Sequence, residues 1–126
     1  MLAMDGNTAP YLQYAYARIR SIFRKAGVDR APVAQVVLCE PAERALALEL
    51  LRLDGVVDAV GRTLEPHRLT AYLYDVATAF SSFYEACPVL QTDPALRESR
   101  LVLCDLTAQT LRQGLELLGI GVVERM

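Results

Sequence analysis

The sequence predicts an all-α fold, an antiparallel bundle of about five helices in one domain spanning residues 1–126. Three observations carry this. Apolar side chains recur at three- and four-residue spacing in several segments, the period of a helix with one buried face. Prolines stand at segment starts and glycines at their ends, the usual punctuation of helices. The one run rich in β-branched residues, V-A-Q-V-V-L-C at residues 33–39, has no second strand to pair with, and a lone strand is not stable. Short connections between the segments favour antiparallel neighbours.

The first helix is expected over residues 9–26, capped by Asn7 or Thr8, with Pro10 in its first turn and Gly27 at its end. Leu12, Ala15, Ile19, Ile22, Phe23 and Ala26 form its apolar stripe. Residues 28–40 read as a connector. The second helix is expected from Pro41 to Leu53, broken by Gly55, and a short third over residues 56–64, weakened by Gly61. The fourth starts at Pro66 and stops before Pro88, because proline cannot continue a helix. Its stripe is Leu69, Leu73, Val76, Phe80, Phe83 and Cys87. The fifth is capped by Thr92 or Asp93, has Pro94 in its first turn and runs to Leu118, with Gly119 as a left-handed terminator. Leu96, Leu103, Leu106, Leu111, Leu115 and Leu118 make its stripe, and the last seven residues form a tail.

A chain of 126 residues has the length of one domain, and 53% hydrophobic residues suffice for one core. No apolar run reaches the roughly 18 residues a membrane span needs, so no membrane partner is expected. The N-terminus carries Asp5 and no basic segment before an apolar run, unlike a signal peptide. Cys39, Cys87 and Cys104 are far apart and odd in number, with no C-x-x-C pair. They read as buried, reduced thiols of a cytoplasmic protein rather than zinc ligands. His67, the single histidine, reads as a surface or capping residue in the first turn of the fourth helix. No catalytic residue and no metal site is expected.

Charge is unevenly placed. Residues 1–30 hold five basic side chains (Arg18, Arg20, Arg24, Lys25, Arg30) against Asp5 and Asp29, whereas the remainder is acidic in balance and the whole chain carries −2. The basic segment is also the aromatic one. Tyr11, Tyr14 and Arg18 stand at i, i+3 and i+7, and Ser21 and Lys25 continue their line. Rings beside positive charge form a stacking surface for unpaired nucleic-acid bases. Solvated cations and half-buried tyrosines would give the same spacing. A small basic footprint suits local contacts better than tracking along a duplex.

Four segments in order, residues 6–19 (G-N-T-A-P-Y-L-Q-Y-A-Y-A-R-I), 65–90 (E-P-H-R-L-T-A-Y-L-Y-D-V-A-T-A-F-S-S-F-Y-E-A-C-P-V-L), 100–106 (R-L-V-L-C-D-L) and 114–120 (G-L-E-L-L-G-I) with a terminal E-R-M, resemble the C-terminal anticodon-binding (DALR-type) domain of arginyl-tRNA synthetases. The resemblance covers essentially the whole chain. It implies a domain that holds the anticodon loop of an arginine tRNA, reads the central cytidine and positions the tRNA for a catalytic domain. By the same resemblance Tyr11 and Tyr14 match the family's pocket aromatics, Arg18 its anticodon-loop arginine, Tyr84 a tyrosine near the pocket, and Met126 its C-terminal methionine. Lys25 joins them as an RNA contact. The family commonly has a proline before Glu-Arg-Met, where this chain has Val123.

The family's ATP signatures need a histidine pair and a signature lysine. One histidine and one lysine, His67 and Lys25, cannot supply them. ATP and magnesium would therefore bind the missing catalytic domain, and no cofactor is expected in this chain. The expected partners are tRNA(Arg) and that catalytic domain, the chain itself being a monomer. A stand-alone RNA-binding or regulatory relative without a catalytic partner is the alternative.

Overall fold

A computed structural model of the chain describes residues 8–122. The expected caps at Asn7 and the terminal contact at Met126 lie outside them. The described chain forms α1 (Thr8–Ala26), α2 (Pro41–Leu51), α3 (Leu53–Thr63), α4 (Pro66–Ala86) and α5 (Pro94–Leu117), with no strand among the described residues. Because α2 and α3 are separated only by Arg52, the bundle counts as four helical bodies rather than about five. The all-α expectation holds. Residues 28–40 form neither helix nor strand.

The α2–α3 break is a correction to the sequence reading. It falls at Arg52, and Gly55 lies inside α3. A helix from another part of the chain fixes the position. The Tyr72 hydroxyl of α4 donates to the Glu49 carbonyl at 2.6 Å. The Arg52 N–H reaches that same carbonyl at 3.1 Å, a three-residue closure that ends α2, and the Arg52 carbonyl accepts from Val56 to begin α3. The Arg52 guanidinium pairs with Glu49 at 2.7 Å and lies 5.4 Å from the Tyr72 ring centroid.

The other ends follow their sequence signals. Asp93 caps α5, accepting from the Leu96 N–H at 3.1 Å. Gly27 and Gly119 take the left-handed conformation that closes α1 and the turn after α5. Pro66 and Pro94 open α4 and α5.

α4 is the centre of the bundle and touches each of the other helices. Its stripe Leu69, Leu73, Val76, Phe80, Phe83 and Cys87 is buried throughout, against Leu12, Ile19, Ile22 and Phe23 of α1 and Leu103, Leu111 and Leu115 of α5. One member of the α5 stripe departs from expectation. Leu106 is exposed, because the face that α5 turns inward runs through Leu103, Cys104, Thr107, Ala108, Leu111 and Leu115. α5 packs directly on α4 where Gly114 meets Leu73. Cys87 and Cys104 are buried free thiols as expected, but Cys39 is exposed.

A polar cluster lies inside this core. Glu43 is fully buried in α2, and its carboxylate binds Arg100 Nε of α5 at 3.1 Å. The other carboxylate oxygen accepts from the backbone N–H groups of Glu40 and Cys39. Arg100 also donates to the Pro88 carbonyl at 2.8 Å. One ion pair thus fastens the connector before α2 and the loop after α4 to the same point on α5.

Candidate nucleic-acid interface

The aromatic and basic side chains of α1 meet α4 between Tyr74 and Tyr84. Arg18 projects from α1 between two tyrosines. Its guanidinium carbon lies 5.8 Å from the Tyr14 ring centroid and 5.1 Å from that of Tyr84 on α4. Tyr84 in turn stacks on Phe80, with centroids 6.0 Å apart and planes 18° from parallel. Phe80 is buried, so the series Phe80, Tyr84, Arg18, Tyr14 runs from the core to the surface. The two outer rings are open to solvent, Tyr14 at 50% and Tyr84 at 36% exposure. A planar cation among ring faces is held by the attraction of positive charge to the ring quadrupole.

Arg18 Nε is buried and finds no hydrogen-bond acceptor. A buried donor left unpaired costs about 1–3 kcal/mol. The guanidinium carbon sits over both rings, and the Nε donor has no acceptor among the described residues. A base oxygen or ring nitrogen, or a phosphate oxygen, has the matching chemistry.

The remaining expected contacts divide. Tyr11 is on the same helix face but packs partly buried against Tyr74 of α4, with centroids 5.4 Å apart. It lies at the inner edge of the surface, away from the Arg18 pair. Lys25 is exposed in the last turn of α1 and lines a groove with Tyr84. His67 is exposed beside Glu65, at 3.4 Å, as expected of a surface first-turn residue. Among the described residues no group of histidine, cysteine and acidic side chains could hold a metal ion, and no helix is long and apolar enough to cross a membrane.

Two contributors were missed in the sequence. Phe80 reads there only as a core residue, though its four-residue spacing from Tyr84 carries the signal of a stack. Gln13, between the two site tyrosines, donates from Nε2 to the Gly121 carbonyl at 2.8 Å. With Leu118, Ile120 and Val122 packed on the core, this bond ties the segment after α5 to the start of α1. A single glutamine gives no sequence signal for such a role.

The same helices are shared with known proteins. The model of the DALR anticodon binding domain matches residues 12–126. The whole chain is 60% identical to part of an arginine–tRNA ligase of Frankia casuarinae, covering 21% of that protein. It is 56% identical to one of Pseudoalteromonas translucida, covering 22%. Among solved structures, an arginyl-tRNA synthetase of Thermus thermophilus superposes with a TM-score of 0.87 at 40% identity, over 98% of this chain and 22% of that one. The enzyme of Plasmodium falciparum gives 0.78 at 31%, over 93% and 21%. The chain therefore spans about a fifth of the length of its relatives.

Proposed function

The chain belongs to the DALR anticodon binding domain family, and from that membership we propose that it holds the anticodon loop of an arginine tRNA and reads its central cytidine. Arg18 between Tyr14 and Tyr84 is the observation that carries this reading. A base pulled from its stack costs a few kcal/mol. Stacking on an aromatic face returns about 1–3 kcal/mol per base, and Tyr14 and Tyr84 both keep ring surface open to solvent on either side of Arg18. The unpaired Arg18 edge then supplies selection, since a base without a matching acceptor leaves that donor unsatisfied. Cytosine offers O2 and N3 as adjacent acceptors on its pairing edge.

Tyr11 supports the surface from its contact with Tyr74, and Lys25 faces the phosphate chain. Met126 is the proposed terminal contact. Activation of the amino acid, and the ATP and magnesium it uses, fall to a catalytic domain with which this domain works. Binding of the loop here positions the tRNA for that domain.

Titration of the chain with arginine tRNA at low salt tests the reading, beside the same tRNA with its central anticodon cytidine replaced by uridine. Preference for cytidine is the expected result. Equal binding would remove the base-reading role, and no binding to either would remove the tRNA role.

A further inference from the structure

The described residues after α5, 118–122, are fixed more firmly than the end of a helix requires. Gly119 takes the left-handed conformation, and the Ile120 N–H reaches back to the Leu115 carbonyl at 2.8 Å. This closure turns the chain away from the axis of α5. Leu118, Ile120 and Val122 then pack on the core, and Gln13 Nε2 of α1 donates to the Gly121 carbonyl at 2.8 Å. We propose that Gln13 is a positioning residue for the RNA surface. It hitches the strap of residues 118–122 to the turn of α1 that carries Tyr14, so that residues 123–126 start beside the bound base. The proposal rests on the anticodon-loop reading and adds to it a residue that acts through another part of the chain.

Placement is the first argument. The donor stands between Tyr11 and Tyr14 in the sequence, and Arg18 lies one turn beyond Tyr14, about 6 Å along the helix axis. Four extended residues span up to about 14 Å. From an anchor at Gln13 they can run along that turn. Val-Glu-Arg-Met at 123–126 brings a cation and a thioether side chain, groups suited to phosphate and to the face of a base.

The second argument is what the bond does not do. It lies at the surface, where a side-chain hydrogen bond adds little net stability because the cost of ordering a glutamine opposes it. The packing of Leu118 and Ile120 holds the strap to the bundle without it. The specific effect of the bond is on where the strap ends. A chain end already placed at a binding surface loses less freedom when it makes its contact.

The test compares the 126-residue chain with Gln13→Met, which keeps the length and helix preference of the side chain and removes its donor. Both are also made with Val123→Gly, Glu124→Ser, Arg125→Gly and Met126→Ser together. The four proteins are titrated with an anticodon stem-loop of arginine tRNA, and with the same RNA carrying uridine for the central cytidine. Gln13→Met is expected to melt at the temperature of the unaltered chain and to bind the cytidine RNA about fivefold more weakly, the scale of one lost anchoring contact. With residues 123–126 replaced, Gln13→Met should cost nothing further. Met126→Trp, in a chain that has no other tryptophan, gives a second readout. Its fluorescence should change on saturation with RNA, and most of that change should be lost when Gln13→Met is added. Unchanged affinity in Gln13→Met, an equal loss with and without the native residues 123–126, no fluorescence change at all, or a full change despite Gln13→Met would each show that Gln13 does not place this segment. A cytidine preference would still uphold the anticodon reading in those cases. Its absence from the unaltered chain would remove both.

Discussion

The Arg18 guanidinium faces the Tyr84 ring at 5.1 Å across the α1–α4 boundary, with its Nε donor buried and unpaired. The contact joins the basic helix to the central helix through a partly exposed ring. It is an interaction that a folded core does not require. An apolar side chain of similar length would fill the same space without stranding a donor.

That comparison gives the first prediction. Arg18→Met should leave stability unchanged or raise it by up to about 1 kcal/mol, because the unpaired donor disappears and the thioether packs well against rings. Affinity for arginine tRNA should fall about 5- to 30-fold, the scale of a lost cation–π and charge contact. Thermal melts and a tRNA titration on the same sample check both. A clear loss of stability with unchanged affinity would make Arg18 a structural residue.

The buried Glu43–Arg100 pair answers oppositely. Removing one partner leaves an uncompensated buried charge, which costs about 3–5 kcal/mol. Arg100→Met should therefore lower the melting temperature sharply, since Glu43 is fully buried and loses its cation. Converting both to Met and Leu should recover part of the loss. The double variant still lacks the donor to Pro88, so its recovery should be incomplete. Denaturant unfolding of the two variants measures the loss and the partial recovery.

These two arginines mark what the sequence could and could not reveal. Arg18 was legible because its partner Tyr14 sits on the same helix, where a fixed 100° advance sets who shares a face. Tyr84 came from family resemblance, since nothing local links a residue on α4 to α1. Even within α1 the reading was incomplete: Tyr11 shares the face with Tyr14 but turns to Tyr74, a choice made by the neighbouring helix. Nothing in the sequence singles out Arg100 and Glu43, for their pairing across α5 and α2 is a tertiary fact. The α2–α3 break was misplaced for the same reason. Gly55 was the stronger local signal, but Tyr72 from α4 settled the matter at Arg52.

Tyr72 yields a pH prediction. Burial pushes its phenol up to about 12, with the Glu49 carboxylate adding to the shift and Arg52 opposing it. The unfolded phenol titrates near 10. A raised pKa means that the protonated form is favoured in the folded chain. Its contribution is thus complete below pH 10 and is lost as pH rises towards 12. Tyr72→Phe should cost about 1 kcal/mol at pH 8, by loss of the bond to the Glu49 carbonyl. The difference in melting temperature between the two chains should shrink between pH 10 and 12. A constant difference across that range would show that Tyr72 does not ionise with unfolding.

At Gly114 the backbone of α5 lies directly against Leu73 of α4. A methyl group built there would lie 2.5 Å from both Leu73 Cδ1 and Cδ2. Leu73 is fully buried at the middle of α4, so it cannot swing into solvent. Alanine is the better helix former by about 1 kcal/mol, and at an open site Gly114→Ala would stabilise α5. Here the clash opposes that gain, and overpacking of this kind costs about 1–3 kcal/mol. The variant should therefore be destabilised or at best neutral. Pairing it with Leu73→Ala, which removes both clashing atoms, should make the two changes less costly together than their sum. Melting the single and double variants decides this: additive losses would mean that α4 and α5 simply move apart, in which case the Tyr84 side of the RNA surface should shift with α4 and tRNA affinity should drop in Gly114→Ala as well.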